Sequence, residues 1–173
     1  VTPEPPIPSP SGPVADRRGS DATTPFAAGF LRVQATPVFL PDQSDPDERE
    51  YVFGYRVRIT NSTDRIVQLL ARRWTIVDAN GKTREVEGEG VVGRQPILGP
   101  SQFFQYESFC PLPTSWGTME GAFSLRAREA AREGETASSL LDGPWPENFE
   151  ARVARFYLVA SEANVDTGAA AKA

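Results

Sequence analysis

The sequence has no histidine and a single cysteine, Cys110. Without histidine no side chain titrates near neutrality unperturbed, and neither a Ser-His nor a Cys-His nucleophile can be assembled. No catalytic residue is assigned on this ground. A lone cysteine forbids an internal disulfide, and with no histidine beside it no structural zinc site is expected. No metal and no cofactor are expected, and a reducing or disulfide-neutral compartment fits. Long hydrophobic runs are also missing, with nothing near the roughly 18 apolar residues that a membrane span needs. Positive charge is in deficit: 18 Lys and Arg against 23 Asp and Glu leave a net charge of −5. That balance argues against DNA or an anionic membrane as a partner.

What is present suits a single domain with appendages, since 173 residues at 39% hydrophobic content can bury a substantial core. Residues 1–25 hold seven prolines and almost no large apolar side chain. Such a segment cannot bury enough surface to offset its ordering entropy, so it reads as an extended proline-rich tail. Pro5, Pro6 and Pro8 in this tail are candidate partner contacts. Val1 in place of Met suits a processed precursor.

From Phe26 to Ala160 the pattern is β, and residues 161–173 read as a solvated C-terminal tail. In "YVFGYRVRITN", Tyr51, Phe53, Tyr55, Val57 and Ile59 alternate with Arg56, Arg58 and Thr60, the mark of a half-buried antiparallel strand. "IVQLLARRWTIVD" loses this alternation near Arg72 and Arg73, which predicts a β-bulge or bend. Asn80-Gly81 is a strong hairpin signal. Pro96, Pro100, Pro111 and Pro113 bar helix from the following stretch. Residues 127–143, rich in Ala, Glu and Arg, are the one plausible helical piece, within an insert spanning 126–148. The fold class that follows is all-β, an antiparallel sandwich or barrel with a proline-rich N-terminal tail and a partly helical insert.

"EVEGEGVVGRQP" carries Gly88, Gly90 and Gly93 in the spacing G-x-G-x-x-G. A dinucleotide loop of that spacing must follow a buried strand and open a helix, whose N-terminus neutralises the pyrophosphate. Here the preceding strand is polar, Pro96 and Pro100 block a helix, and Pro113 stands where a ribose-binding carboxylate belongs. A nucleotide ligand is not expected. Two readings survive. The glycines can shape a bent connection, or the loop amides, helped by Arg94 and by Arg72 or Arg73, can form an anion nest for phosphate or a partner carboxylate.

The stretches "YVFGYRVRI", "VQLLARRW", "DANG", "GEGVVG" with Gln95-Pro96, "CPLP" and "GTMEG" closely resemble the ApaG family. The similarity runs from about Phe30 to Leu125 and resumes at Glu150 to Val159. The resemblance implies an immunoglobulin- or fibronectin-III-like sandwich. Its bacterial members are linked genetically to cobalt resistance and magnesium efflux. Its eukaryotic members are interaction domains on F-box proteins and on a polymerase-interacting protein. A pyrophosphate site proposed for the family's glycine motif maps onto Gly88, Gly90 and Gly93. This chain departs from the family at Arg73, where members usually carry His, and at Arg94, where they carry an acidic or polar residue. The tail and the longer insert are also extra. The expectation is a non-enzymatic interaction or structural module, an accessory subunit among other protein subunits of a larger assembly. The compartment would be an organelle, chloroplast or mitochondrion, with the cytoplasm as the alternative. The alternative function is binding of phosphate or pyrophosphate at Gly88, Gly90, Gly93 and Arg94.

Other groups have plainer expectations. Asp42, Asp45, Asp47, Glu48 and Glu50 lack the pattern of a calcium loop and read as a solvated turn. Asn61-Ser62-Thr63 matches a glycosylation sequon with nothing else to support it. Arg72 or Arg73 is expected to pair with Glu85 or Glu87 across a hairpin. Arg126, Arg128 and Arg132 form a basic patch whose default is a solvated face. Trp74 and Cys110 are expected in the core. Trp145, between Pro144 and Pro146, is either an interface anchor or packs over the domain's own surface.

Overall fold

The computed structural model describes residues 18–130 and 143–161. Nine strands are found there: β1 (Ser20–Phe26), β2 (Gly29–Phe39), β3 (Tyr51–Ser62), β4 (Arg65–Asp78), β5 (Thr83–Glu89), β6 (Ile97–Leu98), β7 (Phe103–Leu112), β8 (Trp116–Glu129) and β9 (Glu147–Val159). They form two antiparallel sheets, one in the order β1-β2-β3-β7 and the other β5-β4-β8-β9 with β6 also on β4. Each sheet turns one apolar face inward, and the two faces make a single core.

The alternation of β3 is realised: Phe53, Tyr55, Val57 and Ile59 are buried while Arg56 and Arg58 are exposed. At the centre, Trp74 meets Tyr55, Phe123 and Phe156 with its ring edge-on, at centroid distances of 5.6, 6.0 and 5.9 Å. Such tilted contacts suit the quadrupoles of the rings and add to the area buried. Cys110 is buried, as expected.

The break in alternation within β4 is a bulge, and it lies at Leu70 rather than at Arg72-Arg73. Leu69 pairs with Leu125 and Ala71 with Ser124, so Leu70 is the extra residue. Leu69 and Trp74 consequently both face the core although five positions separate them. A second irregularity in β8 and β9 falls between Met119 and Gly121. The Asn80-Gly81 hairpin forms as expected. Gly81 adopts φ +80°, and the Asp78 carboxylate accepts the Asn80 and Lys82 amides at 2.9 and 3.0 Å.

Two expectations change. The tail reading extended to residue 25, yet residues 20–25 belong to β1, paired along β2 and tied by an Arg32–Asp21 ion pair. Only Phe26 of β1 is a large apolar residue, and it stacks on Phe149 at 3.8 Å. Residues 1–17, with Pro5, Pro6 and Pro8, lie outside the described residues. The helical reading of 127–143 fails where the chain is described, because Ala127 to Glu129 continue β8. Ala127 pairs with Val67 and Glu147 and is fully buried, so tertiary pairing overrides its helix propensity. Residues 131–142 lie outside the described part. The discounted sequon agrees with its burial: Asn61 is completely buried, with its amide nitrogen donating to the carbonyls of Arg65 and Leu98. It offers nothing to a glycosylating enzyme.

The two long sides of the sandwich differ. On one, β1 and β9 join the sheets: the Tyr157 amide donates to the Arg18 carbonyl and the Arg152 amide to the Thr24 hydroxyl. On the other, β5 and β7 face each other, and Arg84 reaches across to the Pro111 carbonyl at 3.3 Å and the Cys110 sulfur at 3.6 Å.

Candidate functional site

The glycine loop sits at the end of β5, and each glycine has a distinct local cause. Gly88 lies in β5 opposite Arg72, and a Cβ there would come within 3.0 Å of the Arg72 guanidinium. Its missing side chain is the space the guanidinium fills. Gly90 has φ +62°, and a Cβ would stand 2.4 Å from the Arg94 carbonyl. Gly93 has φ +73° with open space around it. Gly90 therefore answers to both backbone conformation and space, Gly93 to conformation alone.

The loop's polar groups are largely committed to the protein itself. The Gly90 amide donates to the Leu70 carbonyl at 2.7 Å, and the Gln95 side chain donates to the same oxygen at 3.0 Å. Val91 and Arg94 exchange backbone hydrogen bonds at 2.6 and 3.1 Å. Arg72 donates to the carbonyls of Glu89 and Gly90 at 3.2 and 2.8 Å, and Gln68 donates to the Gln95 carbonyl at 3.0 Å. The bulged residue of β4 is thus clasped by the segment that carries the glycine motif. An anion nest needs convergent free amides, and those of Gly90, Val91 and Arg94 already have carbonyl partners. Arg94 itself is exposed and lines an open recess of about 780 Å³ with Gln95, Gln102, Phe103 and Phe104.

The remaining candidates separate in space. Arg73 pairs with Glu150 of β9 at 3.7 Å, and Arg72 with backbone carbonyls, so neither takes the expected Glu85 or Glu87. Trp145 is half-buried over the outer face of β8, its ring 4.6 Å from the Arg126 guanidinium and 5.9 Å from that of Arg128. These are cation–π contacts with the chain's own surface. In the acidic turn, Asp45 and Glu50 bridge backbone to backbone, and the Glu48 amide donates to the Asp45 carboxylate. Among the described residues, no group of three or more His, Cys, Asp or Glu side chains is placed to hold a metal ion.

Burial pushes the Cys110 thiol pKa up, against the opposing pull of Arg84. A thiolate is the reactive species, so Cys110 should resist iodoacetamide at neutral pH in the folded chain and react within minutes in denaturant. Equal labelling in both states, read by mass spectrometry, would contradict its burial.

One feature escaped the reading of the sequence. On the outer face of the first sheet, Val38, Gly54 and Phe109 lie side by side across β2, β3 and β7. The bare Gly54 makes a dip of about 460 Å³ between Val38, Leu40 and Phe109, with the Arg56–Glu107 ion pair at its rim. Phe109 is 68% exposed. A glycine amid the bulky alternation of "YVFGYRVRI" was the available signal.

The ApaG domain family model matches residues 41–127, half of the chain. The chain belongs to the ApaG family. Protein ApaG of Brucella abortus (strain S19) is 46% identical over 115 residues, which cover 66% of this chain and 88% of that protein. Protein ApaG of Methylobacterium sp. (strain 4-46) is 49% identical over 106 residues, 61% of this chain and 78% of that one. The crystal structure of the putative ApaA protein from Bordetella pertussis matches with a TM-score of 0.66 at 38% identity, covering 80% of this chain and 99% of that chain. The ApaG match contains the glycine clasp, Gly54 and Phe109, whereas Trp145 and the proline-rich residues lie outside it.

Proposed function

We propose that this ApaG chain is a non-enzymatic protein-interaction module, an immunoglobulin- or fibronectin-III-like sandwich serving as an accessory subunit of a larger assembly. The observation that carries this reading is the dip at Gly54. It is floored by the bare Gly54, walled by Val38 and Leu40, and rimmed by exposed Phe109 and the Arg56–Glu107 ion pair. That combination suits an apolar anchor side chain of a partner protein, since interface energy concentrates where one bulky residue fills a desolvated recess with a polar rim.

Two substitutions test it. Gly54→Leu would fill the dip, where a Cβ already comes within 3.0 Å of Val38 and 3.5 Å of Leu40. Val38→Glu would place a charge on its wall. Quantitative affinity capture from the source cells should recover a set of proteins with the parent chain and lose it with both variants, at nearly unchanged melting temperatures. Recovery of the same set by both folded variants would sink the reading.

A further inference from the structure

We propose that β7 is a self-pairing edge: two copies of this chain join antiparallel along β7 into one eight-stranded sheet. The first observation is which backbone groups are free. Asn61 of β3 exchanges backbone bonds with the chain entering β7, donating to the Gln102 carbonyl and accepting from Ser101. The Val52 carbonyl, by contrast, accepts from Leu40 on the β2 side. Directions alternate along a strand. It follows that Phe104, Tyr106, Ser108 and Cys110 bond to β3, whereas Phe103, Gln105, Glu107 and Phe109 turn their amides and carbonyls to the outside. Pro111 shares that outward phase, and its carbonyl is the one Arg84 caps from the other sheet. β7 is the last strand of its sheet in the order β1-β2-β3-β7. No backbone partner of the four outward residues is found among the described residues.

The second observation is what flanks those groups. Phe103 is 52% and Phe109 68% exposed, and both project from the outer face of the same edge. Edges that must stay single carry charges (lysine above all), proline or a bulge; residues 103–110 have no lysine, proline or bulge, and their one charge, Glu107, is taken up by Arg56. The third observation selects the occupant. "FFQYESF", residues 103–109, reads nearly alike from either end about Tyr106. A two-fold axis at Tyr106 sets Phe103 against Phe109 of the partner subunit and Gln105 against Glu107 of the partner subunit, each combination twice. Aromatics then meet aromatics, and each carboxylate meets an amide rather than its own copy. Those are favourable cross-strand pairs, on a patch that is self-complementary as a two-fold interface requires.

The pairing shares Glu107 and Phe109 with the rim of the dip, whereas Val38 and Gly54 lie on β2 and β3 behind the edge and Phe103 and Gln105 lie outside the dip. Sedimentation equilibrium of the full chain over ~1–500 µM, the range of weak to moderate self-association, should show a monomer–dimer equilibrium. Gln105→Pro removes an outward amide and no bond to β3, so the fold tolerates it. It should weaken dimerisation by more than about tenfold. Phe103→Lys, an edge-protecting residue, should do the same. A strictly monomeric parent chain, or a dimer unchanged by both folded variants, would overturn the pairing. Val38→Glu, on β2 and two strands from the edge, should leave it intact, so a failed partner reading and a failed dimer reading are distinguishable.

Discussion

Gly121→Ala should lower the melting temperature by roughly 8–12 °C, from a loss of about 3 kcal/mol, and Gly121→Val should fail to yield folded protein. Gly121 sits in β8 directly opposite Trp74, beside the irregularity after Met119. A Cβ at this position would stand 2.0 Å from the Arg73 carbonyl and 3.1 Å from the Trp74 ring. Neither neighbour can give way. The carbonyl belongs to β4, and Trp74 is held by Tyr55, Phe123 and Phe156. The strands would have to part beside the aromatic cluster around Trp74, and close packing transmits that displacement. Gly81→Ala is the internal comparison. It has open space but φ +80°, and should cost only about 1 kcal/mol. Circular dichroism melts of the variants decide the matter. A Gly121→Ala chain melting within a few degrees of the parent would show that β8 can shift where the packing says it cannot.

Asn61→Asp, a change of one atom's chemistry, should cost about 3 kcal/mol at neutral pH. Asn61 is fully buried, and its side chain makes four short hydrogen bonds. Its nitrogen donates to the Arg65 and Leu98 carbonyls at 2.8 and 3.0 Å. Its oxygen accepts the Thr63 amide at 3.1 Å and the Thr63 hydroxyl at 2.7 Å. This network ties the end of β3 to the start of β4 and to β6. An aspartate keeps the two acceptor contacts but sets a charged oxygen against two carbonyls. Burial and those carbonyls would raise its folded pKa above the unfolded value of about 3.9. The native state then binds the proton more tightly, so the deficit is smallest in acid and grows as pH rises through and above that value. Urea titrations of the parent and the variant at several pH values should show the gap widening with pH. A constant gap would mean the carboxylate finds another partner.

Much of the fold was legible because periodicity reports burial directly. The alternation of β3, the central Trp74 and the Asn80-Gly81 turn are where the pattern puts them. The slip in β4 was visible too, but placed two residues late, since Leu70 and Ala71 are both apolar enough to hide which residue is extra. β1 was missed because "SDATTPF" has one large apolar side chain and is held by pairing and by the Arg32–Asp21 bridge. Ala127 favours helix locally, and only the neighbouring strands overrule it. The glycine spacing was plain in the sequence, while the Leu70 carbonyl that engages it comes from a distant segment. Trp145 had no regular element of its own, and its arginine support lies across a connection that sequence cannot fold up.

The clasp on Leu70 works like a pawl on a ratchet. A bulge changes the count of residues between inward positions, so every side chain of β4 after residue 70 owes its facing to one extra step. The Gly90 amide and the Gln95 side chain hold that step at one carbonyl. Without that extra step, Arg73 would stand opposite Gly121 in Trp74's place and Trp74 opposite Glu120, trading the core's central ring for a charge. The phase of a strand running through the middle of the protein therefore rests on two hydrogen bonds to one carbonyl.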